Sequence, residues 1–439
     1  MILNPTVIPK ADVRRLREGK ITFRVTVNFF IISLLIIPSY FGIRLAFFDL
    51  TALRMSEILL LYAVLSNKTR NAQFIKLVKS CKYTKWIGIF YGMVCITNLI
   101  HPSINAVFYW LTNGILIFYI VCYILKYVYT LDQFLTIIYK CVLFVCVVSL
   151  LEVVIGKSPF LFLNTLGKNV GMDFRFGSIR IKGPCWESNA YGLYLMMFLP
   201  MVCYDVKTKK INMFARPILL VLMIVNIFLT GARLSMGQLV LALLIIIFSQ
   251  ERKYIVYTFK IMTFIILALV FFLVLFKDSY AQGILRTVFS AVDAVLGTHY
   301  SLAYGASETV LNDSSYYREL LLKNTIVAGW PDLLIGRGES FRLHLYVEGY
   351  EIISVDNYYV GMFVSYAWPG LISWLVMCGS FLLDALFGKG RKKAIIRLFA
   401  ISFICYFIGL WYLDQLQTFQ LMMLLFGIEY SSNFVRDMR

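Results

Sequence analysis

Seven cations in this chain stand apart from the rest: Arg175, Arg180, Lys182, Arg233, Arg318, Arg337 and Arg342. Most of the other Lys and Arg fall in short clusters between apolar runs, whereas these seven lie where the clustering rule predicts few cations. Arg keeps its charge and can grip a phosphate with two parallel hydrogen bonds. Several segments deliver these side chains toward one surface, beside lipid headgroups, where the pyrophosphate of a lipid would be a natural guest. The plainer reading is that they bind ordinary anionic headgroups or pair with nearby acids. Arg233 is the most specific of them. It follows the break Thr230-Gly231-Ala232 with almost no loop, and a cation at a membrane edge is costly unless it is used.

Two candidate bases accompany the cations. Asp356, followed by Asn357, stands just before an apolar stretch. A carboxylate there could deprotonate a hydroxyl if apolar surroundings raise its pKa, and the same pair could simply cap the helix that follows. His344 is the competing base, although a lone loop histidine is more often polar surface. Gly336-Arg337-Gly338 reads as a tight turn that lacks the Lys-Ser/Thr ending of a nucleotide loop. Tyr316, Tyr317, Trp330, Tyr346, Tyr350, Tyr358 and Tyr359 enrich the same region in rings that stack on sugars or anchor helices at an interface.

The elements that must position these residues are membrane spans. The chain is 60% hydrophobic and 15% charged, against about 25% charged in soluble domains. Apolar runs of helical length recur along almost its whole length, and the alternating pattern of an outer-membrane barrel is absent. The net charge of +18 would suggest nucleic acid in a soluble protein, but its placement between spans is the positive-inside pattern, so no nucleic acid is expected. The nine Cys are scattered without a CxxC pair and the three His are far apart, so neither a disulfide framework nor a metal site is expected.

The expected fold is an all-α polytopic integral membrane protein with about twelve transmembrane helices and one large outer loop. Residues 1–24 form a basic cytoplasmic tail. Residues 25–276 hold nine spans, interrupted by a basic outer loop at 156–187. Residues 277–357 form the large outer loop, with ten acids against six cations. Residues 358–430 hold three more spans and 431–439 a second cytoplasmic tail. Gly42–Leu53 and Tyr358–Trp368 can be read either as span or as loop. The 156–187 loop departs from the positive-inside rule, and an anionic ligand is the simplest reason.

In chain order these features resemble the bacterial O-antigen and capsular polysaccharide polymerases and the O-antigen ligases. RFGSIRIKGPCWESNAYGLYL, Arg175 to Leu195, is similar to that family's outer Arg followed by a Gly and an Asn, here Asn189, leading into a span. Thr230-Gly231-Ala232-Arg233 is similar to its Thr-x-Ser-Arg break, with Ala in place of Ser. Tyr317-Arg318 and the later IGRGES resemble its Arg-bearing helix and Gly-x-Gly turn. DNYYVGMFVSYAWPGLISWL, Asp356 to Leu375, is similar to a His-Asn pattern that leads into a Gly-containing span. Asp356 stands where the ligases have His, which favours a polymerase over a ligase and leaves the identity of the base open.

The resemblance implies a GT-C-like glycosyltransferase of the bacterial inner (cytoplasmic) membrane, needing no cofactor. It would join undecaprenyl-pyrophosphate-linked oligosaccharide units into O-antigen, capsule or exopolysaccharide, among membrane lipids and alongside a chain-length regulator and a flippase. Asp356, Arg233 and Arg318 would be catalytic. Arg175, Arg180, Lys182, Asn189, Arg337, His344 and Asn357 would bind substrate. The rivals are a ligase, which shares the donor but not the acceptor, a flippase, which should show internal repeats and broken helices at midplane, and a membrane scaffold, which would not explain the outer cations.

Overall fold

A computed structural model describes residues 10–45, 48–175, 178–260, 332–339, 357–388, 393–413 and 417–434, with short pieces at 263, 285–286, 289–290, 292–293, 298–305, 316, 319–324, 341, 345–347 and 350–352. Arg318, Arg342, His344, Asp356 and, apart from residue 263, the expected span Ile261–Phe276 lie outside the described residues.

Helices dominate. In chain order they are α1 (Lys10–Leu35), α2 (Ala52–Leu65), α3 (Lys68–Ser80), α4 (Thr84–Ile100), α5 (Ile104–Trp110), α6 (Leu116–Tyr127), α7 (Leu131–Ile155), α8 (Ser188–Val202), α9 (Pro217–Leu229), α10 (Arg233–Ser249), α11 (Tyr358–Phe387), α12 (Ala394–Gly409) and α13 (Gln417–Phe434). Among the described residues, three stretches are long and apolar enough to cross a membrane: Ile104–Tyr127, Leu131–Ile155 and Tyr358–Phe387. Five shorter apolar helices accompany them. This is an all-α membrane architecture.

The packing centres on α8. Its sequence, SNAYGLYLMMFLPMV, carries no charge, and only Asn189 of its 15 residues is not fully buried. A helix that is apolar all round must be enclosed by others. Here α9, α10, α12 and α13 enclose it. Elsewhere α11 lies on α4, α13 on α6 and α1 on α2.

Local chemistry sets the helix ends. Thr130 and Gln133 form a reciprocal capping box that starts α7, and Gly156, at φ 74°, ends it in the left-handed region that favours glycine. Between α5 and α6 one turn, Leu111–Ile115, is π-helical. Near the middle of α11, Ala367 takes φ 52° and ψ −163°, two residues before Pro369. A proline inside a helix lacks the donor and crowds the preceding turn, so α11 is broken there without ending.

Among the described residues, strands occur only in short antiparallel hairpins. The first pairs β1 (Gly42–Arg44) with β2 (Asp49–Thr51), and the second pairs β3 (Asp173–Arg175) with β4 (Ser178–Arg180), in a register that sets Asp173 opposite Arg180. These two loops hold each other. The Thr165 hydroxyl donates to the Gly42 carbonyl at 2.6 Å, Arg44 donates to the Leu166 carbonyl at 2.7 Å, and Lys168 pairs with Asp49 at 2.6 Å. The stretch Gly42–Leu53, open between span and loop on sequence, is therefore a hairpin leading into α2.

Candidate functional site

The 156–187 loop closes over the start of α8. Asp173, on β3, accepts from both the backbone N–H and the hydroxyl of Ser188, the first residue of α8, at 2.7 and 2.6 Å. A carboxylate suits a helix N-terminus, where backbone N–H groups are unpaired and the dipole is positive. Opposite it in the hairpin stands Arg180.

Arg180 joins two segments that lie fifty residues apart in sequence. Its Nε donates to the Thr230 carbonyl at 2.7 Å and one Nη donates to Asn189 Oδ1 at 2.8 Å. Thr230 ends α9, Gly231 turns at φ 60°, and Arg233 opens α10. A Cβ on Gly231 would sit 3.2 Å from Arg180 Nε in a conformation L residues rarely adopt, so the guanidinium lies flush against the turn. The helix-starting residue Ala232 offers no side chain to cap α10. The start of α10 thus follows directly on the turn that Arg180 touches, and a helix N-terminus favours anions. Burial pulls the Arg180 guanidinium below its usual range, while Asp173 and Glu187 pull it back up.

Lys182 plays a different part. It is fully buried, and its ammonium donates to the Gly171 carbonyl of its own loop. Burial lowers its pKa against the opposing fields of Asp173 and Glu152. Lys182 therefore braces the loop. Arg175 lies in β3, with its backbone opposite Ser178.

One acid that sequence reading passes over locks this loop. Glu152, near the end of α7 and fully buried, accepts from Lys182 N–H at 2.9 Å, from Gly183 N–H at 2.9 Å and from the Ser158 hydroxyl at 2.8 Å. The signal was available: an acid inside an apolar run is expensive unless it is used. Glu152→Leu should strand two buried backbone donors at about 1–3 kcal/mol each, seen as a lowered unfolding temperature of the purified protein in detergent. Glu152→Gln, which keeps one acceptor oxygen, should lose less.

Arg337 and Asn357 belong to a second assembly, built on the break in α11. The break frees two carbonyls, which the 336–338 turn satisfies: Arg337 N–H donates to Val364 at 2.9 Å and Gly338 N–H to Ser365 at 3.0 Å. The Arg337 guanidinium lies 4.8 Å from the Phe341 ring centre. Tyr366, next to the break, receives a hydrogen bond from Trp110 Nε1 at 2.7 Å and donates to Glu339 at 3.0 Å. Asn357 caps α11, its Oδ1 accepting from Val360 N–H at 3.1 Å, so the capping role is filled by Asn357. Asn357→Ala should cost about 0.5–2 kcal/mol in thermal unfolding, and Asn357→Asp, which can still cap, should cost little.

The sequence places Arg180 and Arg233 toward one surface, and the structure brings Arg180, Asn189 and the 230–233 turn to one corner. Arg337, in the turn docked on α11, and Asn357, the cap of α11, belong to the other assembly. Arg318, His344 and Asp356 fall outside the described residues.

A family model described as O-antigen ligase matches residues 218–375. The matched stretch starts in α9 and takes in the 230–233 turn, α10, the 336–338 turn, Asn357 and the break of α11. No curated protein matches the chain. Over that stretch the chain is similar to the O-antigen ligase and polymerase type of glycan transferase, with polymerase and ligase not distinguished. Together with the apolar helices, the match fits a multi-pass protein of a bacterial inner membrane.

Proposed function

We propose that this protein is a polysaccharide polymerase that joins undecaprenyl-pyrophosphate-linked oligosaccharide units at the outer face of the cytoplasmic membrane, as a GT-C-type glycosyltransferase of about twelve spans. The observation that carries the reading is the Arg180 bridge to Thr230 and Asn189. It makes one basic corner, beside an uncapped helix start, from two segments that each resemble a motif of that family.

In the proposed reaction a hydroxyl of the acceptor unit attacks the anomeric carbon of the donor chain. The new carbon–oxygen bond forms as the bond to the carrier pyrophosphate breaks, and the hydroxyl proton passes to a base, for which Asp356 is the candidate and His344 the alternative. Arg233 and Arg180 are assigned to the departing pyrophosphate, with Arg175 and Arg318 as the further candidates that the resemblance implies. Fixed positive charge there needs no reorganisation and stabilises the charge as it develops. Asp173 and Lys182 hold the loop that presents Arg180.

The glycan profile of a strain lacking the protein tests the reading. A polymerase leaves single repeat units on the surface in place of a ladder, and an unchanged ladder would remove it. The ligase reading has the description of the matching family in its favour. It expects long polymer still attached to its carrier lipid, with none transferred to the final acceptor. A flippase would instead trap single units inside the cell.

A further inference from the structure

Two cavities flank α2, one of them lined by the 156–187 loop, and Arg180 lines neither. One, of about 590 Å³, is walled by α1, α2, the π turn and residues 184–186 of the loop. The other, of about 620 Å³, lies among the β1–β2 hairpin, α2 and α5. They share Asp49, Arg54 and Tyr109, so these three residues form the partition between two adjoining spaces. Each volume is in the range of small-molecule sites, roughly 300–1,000 Å³.

The walls carry polar atoms that, among the described residues, have no hydrogen-bond partner. Both carboxyl oxygens of Glu57, which is 1% exposed, are in this state, as are Arg54 Nε and the Oδ1 of Asn113, which is 5% exposed. The other atoms of the partition are fixed. Arg54 Nη1 donates to the Asp49 carbonyl at 2.7 Å, its guanidinium lies 5.7 Å from the Tyr109 ring centre, and Lys168 holds the Asp49 carboxylate. Asn113 stands at the centre of the π turn, a distortion that tends to mark functional sites.

Leaving a buried acceptor or donor unpaired costs about 1–3 kcal/mol; these atoms lie just behind the cavity surface, so a guest that draws their side chains round to pair with them is favoured. Glu57 and Asn113 need donors, Arg54 Nε needs an acceptor, and Tyr109 offers an aromatic wall. A phosphate brings acceptors alone: it would pair with Arg54 but leave Glu57 and Asn113 without donors, and the other wall cations, Arg44 and Lys168, already pair with Asp49. A hydrocarbon chain brings neither donor nor acceptor. A polyhydroxylated ring brings both, since each hydroxyl donates and accepts, and its C–H face packs on an aromatic side chain.

We propose that this double cavity is a saccharide subsite, holding sugar rings of a lipid-linked repeat unit. The assignment rests on the glycan-transferase reading above and adds to it a place for the sugar. One loop then serves both ends of the substrate: Arg180 faces the pyrophosphate, and Pro184, Cys185 and Trp186 line the saccharide side.

The test uses the full-length protein in nanodiscs of phosphatidylethanolamine and phosphatidylglycerol. The probe is the repeat-unit oligosaccharide released by mild acid from the lipid-linked pool of the producing cells, and so free of lipid and pyrophosphate. Binding is read by saturation-transfer NMR titration. Wild type and Arg233→Ala should bind alike, and inorganic pyrophosphate should not compete. Asn113→Leu and Tyr109→Leu should each weaken binding at least tenfold, while Tyr109→Phe keeps it. Glu57→Gln, of unchanged size, should weaken binding with no change in unfolding temperature, and it keeps the proposal testable should the Leu variants fail to fold. Wild-type affinity in Glu57→Gln and Asn113→Leu, no binding of the free saccharide to wild type, or loss confined to Arg233→Ala would each overturn the subsite. The polymerase reading fails on a different result, a normal ladder from Arg180→Ala and Arg233→Ala cells.

Discussion

Cells carrying Arg233→Ala in place of the native protein should make single-unit surface glycan and almost no long polymer, with the protein present in the membrane at its usual level. The expected loss in polymerisation rate is about 100-fold or more, by comparison with the removal of one preorganised charge-stabilising donor from other active sites. Arg233 opens α10 at a partly exposed position, and alanine is the best helix former, so stability should change little. Arg180→Ala should be at least as damaging, because it removes both a charge and the bonds to Thr230 and Asn189. The two variants separate charge from architecture. Arg180→Lys keeps a cation but not the fork that spans two partners, so it should recover little activity, whereas Arg233→Lys should recover more if a point charge is what α10 presents. A normal ladder from both alanine variants would sink the assigned roles.

The second large effect is on structure. Gly336→Val should prevent the 336–338 turn from docking on α11. Gly336 has φ 75°, and a Cβ there would lie 2.5 Å from the Ser365 carbonyl oxygen and 2.6 Å from the Tyr366 nitrogen. Those atoms are backbone, held by Pro369 and the Ala367 bend, and cannot swing aside. The strained conformation costs about 1–3 kcal/mol and the overpacking about 1–3 kcal/mol more. The broken carbonyls of Val364 and Ser365 would lose their donors as well. The expected result is a sharply lower unfolding temperature and new proteolytic cleavage in 277–357. Unchanged protease resistance would show that the turn is not needed to close the break.

Part of this architecture was legible from hydropathy. The runs Pro217–Gly231 and Leu234–Ser249 appear as α9 and α10, and Phe134–Ile155 as most of α7, because a long apolar stretch in a membrane has few ways to satisfy its backbone other than a helix. Arg233 was legible for the opposite reason, as a charge out of place. The contact that matters most was not. Arg180 and Thr230 each drew notice, but nothing in either stretch says that one grips the carbonyl of the other. The hairpins were invisible, since strands of three residues are too short to show alternation. Pro369 reads as the beginning of a span. In the structure it lies inside one, because a turn from elsewhere in the chain supplies the donors that the broken carbonyls need.

The π turn at Leu111–Ile115 bears on how this chain can change in length. A π turn accommodates one more residue per hydrogen-bonded loop than an α turn, so it is the geometric trace of a single inserted position. Removing that one residue would let α5 and α6 run on as a regular helix with little change of phase, because the wider turn already spreads its extra residue over about one rotation. The face of α6 that meets α13, with Gly427 against Val121, and the side of α5 that reaches Tyr366 would keep their directions. A residue gained or lost elsewhere in either helix would instead rotate one against the other by about 100°, so tolerance for a change in length is concentrated in this turn, where Asn113 lies.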